Sequence, residues 1–448
     1  MGRLFGTDGV RGIANTELNC DLAYKIGRAG AFVLSKEFGE KPIILVGKDT
    51  RISGDMLEAA LVAGVLSSGG DVMLAGVVPT PAIAYLVKKY GVQAGVVISA
   101  SHNPMEYNGI KFFNSQGFKL KDEIENEIER LVLDDSEIPL VTGSFVGKII
   151  KCNTARQDYI DYAKSTIDCD FKGLKIAVDC ANGATAGIGD TILSDLGAYV
   201  FSIATEPNGT NINDNCGSTY IKNVCEKTTK TGSDIGIAFD GDGDRVLFSD
   251  DCGNEIDGDQ VMAILGKFMK TNGILKNNTI VGTVMSNLGL SIFGEENDIK
   301  IKQASVGDRY VLEKMLKNNF NLGGEQSGHI IMLDYNTTGD GIVTALQILK
   351  ILKNTGTKLS ELSQIIKKLP QILVNTKVKN ENKELVLKDE EVLELVENVN
   401  IKLFKKGRVL VRASGTEPLF RVMIEGEDID EITAYANEIA ELIKEKYA

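Results

Sequence analysis

The chain of 448 residues is poor in the groups from which many sites are built. It has two histidines, His102 and His329, and its seven cysteines (Cys20, Cys152, Cys169, Cys180, Cys216, Cys225 and Cys252) form no CxxC pair. An odd number of thiols without partner spacing argues against a disulfide framework or a zinc site, and free thiols in a reducing cytoplasm are expected. No basic run or basic helix face relieves a formal net charge of −13, so nucleic acid and anionic membrane are not expected as main partners. No apolar stretch approaches the roughly 18 residues that a membrane span requires. The start MGRLFGTDGVRG has no apolar h-region and puts Gly6 where a myristoylation signal needs Ser or Thr. A soluble, cytosolic protein is the expectation.

Familiar phosphate and nucleophile signatures are missing too. There is no GxxxxGK[ST] and no GxSxG, and the nearest dinucleotide fingerprint, GIGDTI at 187–192, has Ile192 where a third glycine or an alanine belongs. What remains is ordinary in bulk, with 43% hydrophobic and 25% charged residues, and long enough for several domains.

Strand and helix patterns alternate along most of it. LAYKIGRAGAFVLSKEF (22–38) has helical apolar spacing, PIILVG (42–47) reads as a strand, and SGDMLEAALVAGVLSSGG (53–70) reads as a helix with a Ser cap. VMLAGVV (72–78) and AGVVIS (94–99) continue as strands with a helix between them, which implies a mostly parallel sheet covered on both faces. LKIAVD, AYVFSIA and DIGIAF are the strands of a second unit, and TIVGTV and IKIKQA those of a third. From about Pro370 two extended segments flanked by helices suggest a small α+β domain with an antiparallel sheet. Domains are therefore expected at 1–150, 151–254, 255–368 and 369–448.

Four segments carry chemistry. In VVISASHNP (96–104) an apolar strand runs into Ser101, His102, Asn103 and Pro104, at the carboxyl end where open α/β sheets gather ligands. A serine there suits a nucleophile or phosphate carrier, and an ordinary polar turn would look the same. In IAFDGDGDR (237–245) Asp240, Asp242 and Asp244 alternate with glycines after a strand, so three carboxylates can converge on one hard cation. An EF-hand is excluded, because position six is Arg245 and position twelve is Asp251, and a solvated acidic turn is the remaining alternative. VRASGTEPLFR (411–421) offers Arg412, Ser414, Gly415, Thr416 and Arg421 as a phosphate cradle, or a plain hairpin loop. GGEQSGH (323–329) packs Glu325, Ser327 and His329 among glycines.

ISASHNP, DGDGDR, GEQSGH and RASGTEP, in this order over the whole chain, resemble the α-D-phosphohexomutase superfamily. FGTDGVRG at the amino terminus and VGDRYV at 306–311 make the likeness strongest with its phosphoglucosamine mutase branch. The resemblance implies four domains around a central cleft, three related mixed α/β domains and a smaller carboxyl-terminal α+β domain. It implies that Ser101 carries phosphate and, with Asp240, Asp242 and Asp244, binds one Mg²⁺ per subunit. Glu325 and Ser327 would contact sugar hydroxyls, Arg412, Ser414, Gly415, Thr416 and Arg421 the substrate's own phosphate, and Arg309 belongs to the branch's own segment. Arg11, Lys111 and Arg245 would lie near the phosphoserine, with His102 and Asn103 supporting it.

The implied reaction passes phosphate between glucosamine 6-phosphate and glucosamine 1-phosphate through glucosamine 1,6-bisphosphate, toward UDP-N-acetylglucosamine. Lys111 or His329 is the expected proton carrier, Lys111 because neighbouring cations lower a lysine's pKa. A homodimer fits the same resemblance. Two rivals remain at this point: a glucose or mannose phosphomutase, and a metal-dependent binding protein without turnover.

Overall fold

The computed structural model describes residues 4–6, 8–134, 138–404, 406–413 and 418–447. They form two compact units, one of Met1–Met285 with Ile299–Ile365, the other of Ser286–Asp298 with Ile366–Ala448. The first unit holds three sheets. The first sheet contains β1 (Val10–Ile13), β2 (Ile43–Lys48), β3 (Asp71–Val77), β4 (Ala94–Ile98), β5 (Tyr107–Asn114) and β6 (Ile149–Lys151), in the order β1-β5-β4-β2-β3-β6. The second contains β7 (Lys175–Asp179), β8 (Tyr199–Ile203), β9 (Ile235–Phe239), β10 (Val246–Ser249) and β11 (Glu255–Ile256), in the order β11-β10-β9-β7-β8. The third contains β12 (Thr279–Thr283), β13 (Lys300–Ala304), β14 (Leu322–Gly324) and β15 (Ile330–Met332), in the order β13-β12-β14-β15.

One pattern recurs three times. The runs β3-β2-β4, β8-β7-β9 and β13-β12-β14 are parallel, and each is extended by an antiparallel strand that follows directly in sequence, β5, β10 or β15. The mostly parallel expectation therefore holds for the middle of each sheet, and each has this antiparallel strand beside it. The three connections that lead into those strands are the Ser101 loop, the Asp240–Asp244 loop and the Glu325–His329 loop, so the chemistry-bearing segments occupy equivalent places in three related sheets.

Local choices agree with these elements. Asn19 caps the helix Cys20–Phe38 by accepting the Leu22 N–H at 2.9 Å, and Gly39 ends it in the left-handed region. Asp257 and Gln260 form a capping box on Gly258–Thr271. The expected Ser cap of the second helix is not there: Ser53 is its first residue, Ile52 is the cap without a side-chain bond, and the Ser53 hydroxyl accepts the Asn108 amide instead. Across sheets, Thr50 donates to the Asn182 carbonyl at 2.6 Å, Tyr159 to Asp340 at 2.8 Å, and Asn336 to the Pro81 carbonyl at 3.1 Å. No helix among the described residues is long and apolar enough to cross a membrane, and all seven cysteines are unpaired.

The second unit has its own antiparallel sheet of β16 (Gln371–Lys377), β17 (Gly407–Ala413) and β18 (Leu419–Gly426), in the order β16-β18-β17. Three strands form it rather than the two expected, because QILVNTK pairs along its whole length with β18. Its core includes Phe420, Val422, Ile424, Ile432, Ile439 and Ile443.

Candidate active site

β4 is buried at every position, so the chain can turn only beyond it, and Ser101 is reached three residues past its end. Ser101 has φ +53, a left-handed conformation unusual for a residue with a side chain, and is 2% exposed. Its hydroxyl donates to Asp240 Oδ2 at 2.7 Å and lies 3.3 Å from His102 Nδ1. Burial, then Arg245 and Arg11, takes the His102 imidazole down to about 4.

The second loop brings its three carboxylates together as the spacing predicts. Oxygens of Asp240, Asp242 and Asp244 lie within 4.8 Å of one another, and all three residues are buried. The two glycines have different reasons. Gly243 turns at φ +72, whereas a Cβ on Gly241 would stand 2.7 Å from the Ser101 carbonyl oxygen, so the two loops touch only because none is there. Thr80 donates its hydroxyl to Asp242 Oδ2 at 2.7 Å, and Asp240 Oδ1 accepts the Arg245 N–H at 3.1 Å. Asp242 Oδ1 and Asp244 Oδ1 are buried without a hydrogen-bond partner. Orphaned carboxylate oxygens in an all-oxygen cluster fit a hard divalent cation. Burial, with Asp244 and Asp242 beside it, pushes Asp240 far above the usual carboxylate range. For Asp244 burial acts the same way but is outweighed by His329, Lys111 and Arg245, and its carboxyl is held far below.

Around the cluster runs a closed ring of alternating acidic and basic side chains drawn from all three sheets. Lys111 Nζ lies 2.9 Å from Asp8 and 3.9 Å from Asp244. His329 Nδ1 is 3.6 Å from Asp244, and its Nε2 is 3.7 Å from Asp308. Lys119 closes the ring at 2.6 Å from both Asp308 and Asp8. Arg11 pairs with Asp8 at 3.0 Å and donates to Asn103 Oδ1 at 3.4 Å, while Arg245 is 4.0 Å from Asp244.

The ring sets the charge environment of both expected proton carriers, Lys111 and His329. Burial would lower Lys111, but Asp242, Asp8 and Asp244 outweigh it and raise its pKa, the direction opposite to the one expected. Against burial, Asp244 and then Asp308 and Glu325 raise His329 as well. Its Nε2 accepts the Gly339 N–H at 3.1 Å, which holds the tautomer with the Nδ1 proton toward Asp244.

In the third loop Ser327 is exposed, and Glu325 Oε1 accepts the Gly307 N–H at 3.0 Å. Arg309 is paired within the protein: its guanidinium bonds Asp122 and lies 3.6 Å from Glu125 and 3.2 Å from Glu313. In the second unit Arg412 and Arg421 stand directly opposite each other on β17 and β18, and burial together with Arg421 lowers Arg412. Like charges in register are unfavourable unless an anion joins them. Ser414, Gly415 and Thr416 lie outside the described residues. Sequence reasoning missed Asp8, Thr80, Lys119, Asp308, Asn213 and the pair Asp49–Arg51, although KDTR directly after β2 placed charges at a strand's carboxyl end.

Comparison with known proteins gives four parts. Family models of phosphoglucomutase/phosphomannomutase match as domain I over residues 2–138, domain II over 157–253, domain III over 257–369 and the carboxyl-terminal domain over 373–442. A phosphoglucosamine mutase of Clostridium novyi is 59% identical over 447 residues, covering 100% of this chain and 99% of its own. One of Acetivibrio thermocellus is 56% identical over 447 residues, covering 100% of both. Among solved structures, a phosphoglucomutase/phosphomannomutase family protein of Burkholderia thailandensis superposes with a TM-score of 0.79 at 23% identity, over 99% of this chain and 98% of that one. An N-acetylphosphoglucosamine mutase of Aspergillus fumigatus, in complex with GlcNAc-6P and magnesium, does so with a TM-score of 0.71 at 17% identity, over 100% and 96%.

Proposed function

The chain belongs to the phosphoglucosamine mutases of the phosphohexomutase superfamily, and on that premise we infer that it interconverts glucosamine 6-phosphate and glucosamine 1-phosphate. The observation that carries the mechanism is the Ser101 hydroxyl at 2.7 Å from Asp240, inside a trio of carboxylates and beside Lys111, Arg11 and Arg245. Phosphoryl transfer needs charge neutralisation and in-line positioning more than covalent help. In the proposed cycle phospho-Ser101 gives its phosphoryl group to the sugar O1. The Ser101 Oγ–P bond breaks, the O1–P bond forms, and the proton of the O1 hydroxyl ends on Oγ.

The resulting 1,6-bisphosphate turns end for end and returns its 6-phosphate to Ser101. Asp240, Asp242, Asp244 and Ser101 would hold Mg²⁺, which when bound supplies charge neutralisation at the phosphoryl oxygens. Lys111, with its fixed positive charge, stabilises the same oxygens. Glu325 and Ser327 are assigned the sugar hydroxyls, and Arg412 and Arg421 with Ser414–Thr416 the phosphate that is not reacting. The domain limits 1–150, 151–254, 255–368 and 369–448, a homodimer and a cytoplasmic place in the route to UDP-N-acetylglucosamine belong to the same proposal.

The test is a ³¹P NMR time course with Mg²⁺ and a trace of the matching bisphosphate, comparing glucosamine, glucose and mannose 6-phosphates. Preferred conversion of the amino sugar is expected; preference for glucose or mannose overturns the substrate, and no conversion of any of them overturns the reaction. Ser101→Ala should remove at least 10³-fold of the activity in a folded protein, and full activity there would sink the phosphoserine. Asp242→Asn should lower the rate and the response to magnesium together, measured as activity against Mg²⁺ concentration.

A further inference from the structure

Between β2 and the next helix lies a buried ion pair that touches no reacting atom. Asp49 and Arg51 are 1% and 3% exposed. Arg51 Nε donates to Asp49 Oδ2 at 2.8 Å, and Nη1 donates to the carbonyls of Pro104 and Tyr107, the latter at 3.0 Å. Nη2 donates to the carbonyls of Ser101 and Asn103, both at 2.8 Å. A guanidinium has five N–H groups, and here five acceptors meet them. Asp49 Oδ2 also accepts the Ser99 hydroxyl at 2.7 Å, and that hydroxyl accepts the Ser101 N–H at 2.9 Å. Both the N–H and the C=O of Ser101 therefore trace back to one ion pair.

The other side of the loop is held from the second sheet. Asn213 Nδ2 donates to the same two carbonyls, Ser101 at 2.9 Å and Asn103 at 3.1 Å. A left-handed residue with a side chain is strained, so it persists only where its surroundings determine it. Here the determinants come from two sheets and converge on the residue whose φ is +53.

We propose that the Asp49–Arg51 pair, with Ser99 as its relay and Asn213 opposite, is the positioning device of the Ser101 loop. It fixes the left-handed turn that aims Oγ at Asp240. It does so with no net charge of its own, so it leaves the balance of cations around a transferred phosphoryl group unchanged. The inference rests on the reading of Ser101 as the phosphate carrier. Lysine cannot substitute, because an ammonium has three donors and no planar fork to span four carbonyls.

The test compares wild type, Ser101→Ala, Arg51→Lys and Ser99→Ala in the full chain. Steady-state kinetics with glucosamine 6-phosphate are read together with thermal melts by circular dichroism and inorganic phosphate released per turnover. Arg51→Lys should lose 30- to 300-fold in kcat with KM within threefold and release at least fivefold more phosphate, since a misplaced phosphoserine loses its group to water. Ser99→Ala should lose 3- to 10-fold in kcat with its melt still cooperative, and it decides the matter if Arg51→Lys does not fold. A folded Arg51→Lys or Ser99→Ala with kcat within twofold of wild type overturns the proposal. So does a loss confined to KM, or a Ser99→Ala loss matched by an equal loss of folded protein. Full activity of Ser101→Ala overturns the phosphoserine itself. An inactive Ser101→Ala beside an unimpaired Arg51→Lys overturns the positioning role alone.

Discussion

Asp179 ends β7 with Oδ1 accepting the Ala181 N–H at 2.9 Å, while its Oδ2 is buried without a partner. Burial, opposed by the N–H groups of Gly217 and Ala181, lifts its carboxyl to about 6 from its ordinary 3.8. The folded state therefore keeps a proton there that the unfolded chain has already lost, and stability from this group falls as pH rises between those two values. Asp179→Asn removes the titration. From pH 4 to pH 7 the stability difference should move in the variant's favour by about 1–3 kcal/mol, checked by urea melts of both proteins at each pH. An unchanged difference would mean that the carboxylate finds a partner. At this scale the sequence was legible where chemistry is local: three aspartates two apart, and a serine just past an apolar strand. Asp8, Arg51 and Asn213 were not legible, because each acts on a residue about 50 to more than 100 positions away and nothing near it in the chain marks that partner.

Loops, not strands, carry the close approaches. With its missing Cβ 2.7 Å from the Ser101 carbonyl and 2.7 Å from Asn213 Nδ2, Gly241 joins the metal loop to the serine loop. Gly241→Ala should force the two apart, cost about 1–3 kcal/mol of stability and lower kcat at least tenfold, in a melt and an activity assay on one preparation. Wild-type values for both would show that the loops can separate without loss. β4 and the helices around it were readable from apolar runs and helical spacing. β5 was not, since Tyr107–Asn114 is buried at six consecutive positions between β1 and β4 and so lacks the alternation of a half-exposed strand. That omission mattered, because β5 is the strand that carries Lys111 into the ring.

In the whole molecule, the ring ties three sheets into one thermodynamic body. Unfolding any one sheet would leave buried charges of the other two without partners, which costs several kcal/mol. Calorimetry should therefore show one transition for the three sheets together. Lys119→Met, which takes their shared cation from the half-buried Asp308 and Asp8, should destabilise that transition by about 1–3 kcal/mol. Three separate transitions would show that the ring does not couple them. Sequence patterns disclosed three α/β units but not that they repeat, since equivalence lies in strand order rather than in any shared string of residues.

The order in which a ribosome releases the chain gives the ring a second meaning. Asp8 emerges among the first residues and Lys111 and Lys119 soon after, yet their ring stays open until Asp308 and His329 have been made. Asp240, the hydroxyl's acceptor, also comes more than a hundred residues after Ser101. A nascent amino-terminal domain thus presents its serine beside Arg11 and Lys111 but without Asp240, Asp242, Asp244 and Arg245. On the proposed reading of Ser101 as phosphate carrier, chain order would delay its first charging until the aspartate loop has been made.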